Sequence, residues 1–295
     1  MSASTTLTGA PDTARTGLAT GRGRRTRGSL TRVLLGLLTW VIVLIFFFPV
    51  AWMAVTGFKQ ESAAATTPPQ FVFRPTFAQY QSALSKAGPY LTHSVIIVFV
   101  STLIVLALAL PAAYALSIAP VRKWWDSLFF FISTKMLPVA GAIIPLYVIA
   151  RNLHSLDTLQ VLIILYAALN LPIAVWMLRS FLLEVPVGIL EAARVDGASF
   201  LRQLRSVVLP LIAPGMAATA LICFIFAWNE FFLAVNLTTT NAATVPVYLV
   251  SFQTGEGQFW AHLCAGATLA CLPVLIAGWV AQDKLVRGLT MGAVK

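Results

Sequence analysis

Three polar residues stand out because they lie inside long apolar runs of the sequence. Lys135, Asn229 and Glu230 would sit at membrane depth if those runs cross a bilayer as helices. Polar and ionisable side chains are expensive in lipid, so they usually face a cavity or a partner. One interpretation is that they line a path for a hydroxyl-rich solute. The other is that each lies near a helix end, where it reaches toward water or holds helices together.

The residue patterns of common enzymes are missing from the sequence. It contains no G-x-x-x-x-G-K-[ST] phosphate loop, no G-x-S-x-G turn and no H-E-x-x-H helix. Cys223, Cys264 and Cys271 lie in apolar runs without the spacing of a metal site, which is typical of small buried hydrophobic residues. We therefore predict that this chain has no catalytic residue, binds no metal or cofactor, and is not an enzyme.

Charged residues of both signs cluster in the segment 185–209, between two apolar runs. Pro186 is suited to the first turn of a short helix, and Gly197 supplies a left-handed stop. Ser199 is suited to cap a second short helix, which we expect to end before Pro210. The segment therefore predicts two short helices joined by a turn.

The first of these short helices has the features of a docking element. Leu190, Ala193 and Arg194 fall at helical neighbour spacing, and Ala192 and Ala193 are small enough for close approach by another surface. Charges of both signs surround them. This pattern favours a helix that binds in a groove of a cytoplasmic partner.

The composition indicates that a membrane positions these residues. Of the 295 residues, 59% are hydrophobic and 10% are charged, whereas soluble domains carry roughly 25% charged residues. Six runs reach spanning length, which is about 20 residues. They are Leu34–Val55, Leu91–Ile118, Leu128–Ala150, Val161–Leu183, Leu209–Val235 and Trp260–Val280. We predict an all-α membrane protein with six transmembrane helices.

Helix-breaking residues interrupt most of these runs. They are Pro111, Pro138, Pro145, Pro172, Pro214, Gly266 and Pro273. Membrane helices tolerate such residues where neighbouring helices or a lined cavity satisfy the backbone. The pattern favours a bundle with a pathway through it over a simple anchor.

The distribution of Lys and Arg predicts that both termini lie in the cytoplasm. Most of the 20 basic residues fall in the N-terminal tail, the 185–209 segment, the Arg122–Lys123 pair or the C-terminal end. The opposite side holds only four, which are Lys59, Arg74, Lys86 and Arg151. Flanking Lys and Arg resist translocation, so the loops 57–89 and 236–259 are predicted to be extracytoplasmic. This arrangement also explains the net charge of +10 better than binding to nucleic acid does.

Residues 1–29 are predicted to be a disordered basic cytoplasmic tail, because they contain few large apolar residues. The following apolar run is too long for a signal peptide, whose apolar region covers about 7–15 residues. We therefore predict a single six-helix domain over residues 30–295. Within it, residues 184–208 form a cytoplasmic loop.

The segment 191–210 contains Glu191-Ala192-Ala193, then Gly197 after three residues, and Val207-Val208-Leu209-Pro210 after nine more. This arrangement resembles the cytoplasmic signature of the permease subunits of bacterial ABC importers, which is Glu-Ala-Ala, three residues, Gly, nine residues and Ile-x-Leu-Pro. Val stands here in place of Ile. Further similarity to the carbohydrate-importer branch, and to its short maltose-permease-like subunit, covers residues 30–295. It is carried by Arg74–Tyr80, Ala112–Leu116, Ala227–Phe232 and Val286–Lys295.

The resemblance implies a type I ABC importer permease fold in the bacterial cytoplasmic membrane. It also implies partners, namely a second homologous permease, two ATP-binding cassette subunits that hold ATP and Mg²⁺, and an extracytoplasmic solute-binding protein. The coupling residues it implies are Glu191, Ala192, Ala193, Arg194, Asp196 and Gly197. Gly188 departs from the family pattern, because relatives often carry an acidic residue there.

Sequence alone leaves the solute open among an oligosaccharide, a disaccharide such as maltose or trehalose, a sugar alcohol and glycerol phosphate. A secondary transporter is a rival of another class. It predicts buried ion-coupling carboxylates, for which only Glu230 is available in the predicted spans.

Overall fold

The computed structural model describes residues 25–118, 122–254 and 257–291, and helices dominate these ranges. The helices are α1 (Arg25–Thr56), α2 (Glu61–Ala64), α3 (Ala78–Ser117), α4 (Trp124–Met136), α5 (Val139–Asn152), α6 (Leu159–Leu182), α7 (Val187–Val195), α8 (Phe200–Gln203), α9 (Leu209–Leu211), α10 (Ala213–Trp228), α11 (Phe232–Leu237), α12 (Val245–Val250) and α13 (Trp260–Met291). A π-helical turn, Leu204–Val208, joins α8 to α9. Two short strands, β1 (Gln253–Thr254) and β2 (Gly257–Gln258), pair antiparallel. Apart from this hairpin, the predicted all-α class is confirmed.

Among the described residues, four helices are long and apolar enough to cross a membrane singly: α1, α3, α6 and α13. Two further spans are bent pairs, with α4 and α5 meeting at 91° and the helical stretch Phe200–Leu211 meeting α10 at 83°. Counting each pair once gives the six spans that the sequence predicts.

Two of the predicted helix breakers coincide with these bends. Leu137 has an extended backbone, with ψ at 127°, because the ring of Pro138 disfavours the helical conformation in the residue before it. Pro214 lies in the first turn of α10, where its missing N–H costs no hydrogen bond. The remaining predicted breakers lie inside continuous helices: Pro111, Pro145, Pro172, Gly266 and Pro273.

Several predicted boundaries are wrong. Helix α3 begins at Ala78 rather than near Leu91, where the predicted span begins, so α2 and the first part of α3 lie within the predicted loop 57–89. The run Leu209–Val235 is not one helix, because α10 ends at Trp228 and α11 follows after a break. The predicted loop 236–259 contains α12 and the β-hairpin.

Residues Met1–Ala51 form a unit of their own, which contains most of α1. The apolar side chains of this helix are exposed, as lipid-facing residues of a membrane helix are; Phe46 is 78% exposed. Of the predicted tail, residues 1–24 lie outside the described residues, and α1 already begins at Arg25. Lys295 also lies outside them.

The unit Trp52–Lys295 has two hydrophobic clusters along α3 and α6. With the predicted orientation, the cytoplasmic cluster joins the C-terminal halves of both helices to Leu190, Leu204 and Val208. The extracytoplasmic cluster joins their N-terminal parts to Trp228, α11 and Val245. Helices α3 and α6 therefore link the two ends of the bundle.

Candidate functional site

Helix α7 ends in a well-defined turn at Gly197, whose φ of +72° is the left-handed conformation predicted from the sequence. The Gly197 N–H donates to the Arg194 carbonyl at 3.0 Å, and the Ala198 N–H donates to the Ala193 carbonyl at 3.0 Å. These two bonds make a Schellman motif, which satisfies carbonyls that a helix end otherwise leaves without donors. The start of α7 differs slightly from the prediction, since Pro186 precedes the first turn.

The two faces of α7 differ sharply. Leu190 and Ala193 are 2% and 8% exposed, and Leu190 packs in the cytoplasmic cluster. Glu191, Ala192, Arg194, Asp196 and Gly197 are exposed. Ala193 was expected to help another surface approach, but it faces the protein's own core. The other five residues of the predicted coupling set are accessible.

The exposed face of α7 is ready for contact with another surface. Within the part of the chain that the structure describes, no residue forms an ion pair or hydrogen bond with the side chains of Glu191, Arg194 or Asp196. Val195, beside them, is 88% exposed. An exposed apolar side chain with charged neighbours matches the apolar centre and the polar rim of a protein–protein interface.

The second short helix continues farther than predicted. Ser199 precedes α8 as expected, although its side chain makes no capping bond to the helix. The helical path then runs through the π turn and α9 up to Leu211, and so passes Pro210. A π turn widens the helix by one residue, and such turns are frequent at functional sites.

The structure places the predicted path residues near one end of α10. Asn229 follows the last residue of α10 and donates to the Ile225 carbonyl at 2.8 Å. Lys135 lies in the last turn of α4, with its ammonium 5.9 Å from the centre of the Phe226 ring. Phe226 is about one helical turn before Glu230. Lys135, Asn229 and Glu230 therefore all lie near the C-terminal end of α10.

Glu230 has a definite structural role. Its carboxylate accepts from the Leu233 N–H at 2.9 Å and from the Ala234 N–H at 3.4 Å, so it caps the start of α11. Tyr166 on α6 donates to the Glu230 carbonyl at 3.2 Å. This geometry supports the interpretation in which Glu230 holds helices together.

Sequence reasoning missed a polar centre at Asp157, on the short connection between α5 and α6. Its carboxylate accepts hydrogen bonds from the N–H groups of Thr239, Thr240, Asn241 and Ala242, at 2.9 to 3.2 Å. It also accepts from the Thr239 hydroxyl and the Asn241 side-chain amide. Burial acts to raise the pKa of Asp157, but these donors outweigh it and hold that pKa well below its usual range.

The segment that donates these hydrogen bonds to Asp157 continues to Val245, where α3 holds it at two further points. His93 Nδ1–H donates to the Ala243 carbonyl at 3.1 Å, and the Val245 N–H donates to the Ser94 hydroxyl at 2.9 Å. We call residues 238–245 the extracytoplasmic strap. The sequence marks Asp157 only by the polar run around it. Its role as the acceptor for the strap could not be predicted from that run, because its partners lie more than 80 positions along the chain.

Comparison with known proteins agrees with this geometry. Residues 106–288 match the family described as binding-protein-dependent transport system inner membrane component. A probable ABC transporter permease of Sinorhizobium fredii is 39% identical over 90% of this chain and 96% of its own. The trehalose/maltose transport system permease of Thermococcus litoralis is 33% identical over 90% of this chain and 98% of its own. The diacetylchitobiose uptake system permease of Streptomyces coelicolor is 33% identical over 84% and 91%.

A solved structure has the same fold. It belongs to a bacterial ABC transporter involved in the import of the acidic polysaccharide alginate, and it matches 94% of this chain and 100% of its own with a TM-score of 0.69 at 23% identity. The type I importer permease fold is thereby confirmed. The chain belongs to the family of binding-protein-dependent transport system inner membrane components, the multi-pass permease subunits of ABC importers in the cytoplasmic membrane.

Proposed function

We propose that this chain is the permease subunit of an ATP-driven importer that carries a sugar across the cytoplasmic membrane. The observation that carries the proposal is the exposed, Schellman-closed helix α7, which rests on the buried side chain of Leu190. The carbohydrate class is supported by relatives named for trehalose/maltose and diacetylchitobiose transport. Oligosaccharides, disaccharides and sugar alcohols all belong to this class.

In this proposal α7 is the coupling helix, and it binds in a cleft of an ATPase subunit. Glu191 and Arg194 make polar contacts there, and Val195 fills an apolar pocket of the partner. Two ATP-binding cassette subunits hold ATP and Mg²⁺, so this chain binds neither. A second homologous permease and an extracytoplasmic solute-binding protein complete the assembly. Closure of the two ATPases pushes on α7 and changes the state of the bundle.

Lys135 and Asn229 are proposed to meet the solute on its way through the bundle. Both are exposed in this subunit and lie near the same end of α10. An ammonium and an amide provide the donors and the acceptor that sugar hydroxyls require. Glu230 stays in the proposed set, with its carboxylate also serving as the cap of α11.

The experiment is uptake by proteoliposomes that contain the complete assembly, with the binding protein added on the extracytoplasmic side. Radiolabelled maltose, trehalose, sorbitol and glycerol phosphate are offered in turn. We expect uptake of a sugar that requires ATP on the ATPase side. Uptake that continues without ATP under an imposed ion gradient contradicts the proposal and favours a secondary transporter. Uptake of glycerol phosphate alone contradicts the sugar class.

A further inference from the structure

Gln203 is a buried polar residue whose side-chain amide bonds in two directions. It is 6% exposed. Its Nε2 donates to the Ala198 carbonyl at 2.8 Å, and its Oε1 accepts from the Tyr114 hydroxyl at 3.2 Å. Ala198 belongs to the turn that closes α7, and Tyr114 lies near the cytoplasmic end of α3. One side chain therefore connects the coupling helix to a long membrane-spanning helix.

Apolar packing leaves part of this junction open. A cavity of about 130 Å³ lies where α7 faces the ends of α3 and α6, and it is lined by residues that include Ser117, Leu183 and Val187. On the side of α8, the Phe200 ring contacts the Tyr114 ring edge-on, with 5.3 Å between the two ring centres. A void leaves its lining with fewer packing contacts, so the hydrogen bonds of Gln203 add to the packing of Leu190 in holding α7 to the end of α3.

The two hydrogen bonds of Gln203 define one relative position of these elements. If the turn after α7 shifted without α3, the amide would lose a partner on one side while still buried. An unsatisfied buried polar group costs more than a hydrogen bond contributes when it is made, so the arrangement in which both bonds persist is strongly favoured. The turn and the end of α3 are then expected to move as one body.

We propose that Gln203, together with Tyr114, is the positioning element that transmits movement of the coupling helix to α3. The inference rests on the proposed coupling role of α7 and adds the route by which its movement enters the bundle. Because α3 packs along α6 through both hydrophobic clusters, movement at Tyr114 reaches the extracytoplasmic end. Neither residue contacts the ATPase or the solute in this scheme; both act through α3.

The test compares the number of sugar molecules imported per ATP hydrolysed in reconstituted assemblies. Radiolabelled trehalose is the probe, with maltose where trehalose is not carried. Tyr114→Phe removes one hydroxyl and keeps the ring contact with Phe200; Gln203→Leu removes both bonds at similar size. We expect the ratio to fall about tenfold in Gln203→Leu, the factor that about 1.4 kcal/mol represents, and less in Tyr114→Phe. The ATPase subunits should remain bound in both variants.

A matched control exists at the other end of the bundle. Tyr248→Phe also removes a buried phenol hydroxyl, one that donates to the Ala83 carbonyl at 3.4 Å, but it lies far from the coupling segment in the extracytoplasmic half. Its ratio should equal that of the unaltered protein. The double variant Tyr114→Phe/Gln203→Leu should be no worse than Gln203→Leu alone, because the two residues act through one bond.

The outcomes separate this inference from the proposed function. Unaltered ratios in both variants, an equal fall in Tyr248→Phe, or loss of bound ATPase subunits would each overturn the role of Gln203. Absence of ATP-dependent import by the unaltered assembly would overturn the proposed function, and the inference with it. Should the Gln203→Leu chain fail to fold and insert into the membrane, Tyr114→Phe still decides, since it removes a single oxygen atom.

Discussion

The extracytoplasmic strap and helix α7, the proposed coupling helix, are both short polar segments at the ends of the bundle, yet they are stabilised in opposite ways. The strap takes its hydrogen-bond partners from distant parts of the chain, chiefly Asp157 and Ser94. Helix α7 satisfies its own backbone through the Schellman turn at Gly197 and leaves its charged side chains exposed.

This difference indicates separate tasks for the two ends. A segment held by many long-range hydrogen bonds resists local opening, whereas a self-contained helix on a small buried base can move as a unit. The strap is therefore suited to keep α3, α6 and α11 in a fixed relation. Helix α7 is suited to the proposed role of binding a partner and shifting with it.

The largest effect is expected where the turn after α7 is broken. Gly197→Asp places a side chain at a φ of +72° and a new negative charge on the exposed surface beside Asp196. We expect uptake in proteoliposomes to be abolished and the ATPase subunits to be uncoupled or lost, while the membrane domain keeps its helix content by circular dichroism. Glu191→Ala should act in the same direction, because it removes the polar contact that we propose Glu191 makes with the ATPase.

A matched control for Gly197→Asp is Gly188→Asp. Gly188 is exposed near the start of the same helix, and an added Cβ would meet no atom within 4 Å. The charge change is the same, but the backbone is helical and an acidic residue is favoured at a helix N-terminus. Uptake should stay close to that of the unaltered protein. Normal uptake by Gly197→Asp would contradict the assignment of α7 as the coupling helix.

The second prediction concerns the strap. In Asp157→Asn one side-chain oxygen becomes an amide, so some of the N–H groups of residues 239–242 lose their acceptor. A bond to a charged group contributes about 1.5–3 kcal/mol, so hydrogen exchange of these amides should rise by about tenfold or more. Mass spectrometry of peptides that cover the strap measures this. Asp126→Asn, an exposed aspartate in the first turn of α4, is the control for charge.

The two ends should respond differently to Asp157→Asn. Exchange in peptides that cover α7 should be unaltered, because α7 draws its hydrogen bonds from its own turn. Equal increases at both ends would mean that the strap and α7 unfold as one unit and are not stabilised separately.

The pH dependence of the strap follows from the lowered pKa of Asp157. A carboxyl group with a depressed folded-state pKa contributes stability above its unfolded pKa of about 3.9, and that contribution is lost as the pH falls toward the folded value. The difference in melting temperature between the unaltered protein and Asp157→Asn should be constant from about pH 8 to 5. It should shrink below about pH 4. A difference that disappears near neutral pH would contradict the assignment.

The sequence predicted those parts of the fold that depend on composition and local backbone chemistry. Apolar run length identified all six spans, and Gly197 identified the end of α7. Proline also predicted the bends at Pro138 and Pro214. Pro145 and Pro172, however, lie inside helices that continue, because packing against neighbours compensates for a lost hydrogen bond. Proline alone does not distinguish these outcomes.

Features that depend on distant contacts could not be predicted in this way. Asp157 and Gln203 acquire their roles from partners about 80 or more positions away, and no local pattern marks those pairs. Dependence on distant contacts also explains why the start of α3 at Ala78 was not predicted. The polar residues before Leu91 lack the apolar run of a span, yet Ala83 and Ala87 are buried in the folded chain.

The smallest effect is expected at Glu230, which caps the start of α11, the helix that directly precedes the strap. Glu230→Gln keeps one oxygen to accept from the Leu233 N–H and loses the charge that favours the helix N-terminus, a contribution of about 0.3–1 kcal/mol. If the carboxylate serves only as a cap, the apparent KM for sugar uptake should change less than about twofold, with a slight rise in exchange along α11. A larger rise in KM, with exchange along α11 unaltered, would place the carboxylate in contact with the solute. Asn229→Ala is the comparison for contact with the solute at this place, because the Asn229 side chain bonds only within α10 among the described residues, so a rise in KM in this variant does not come from loss of the cap.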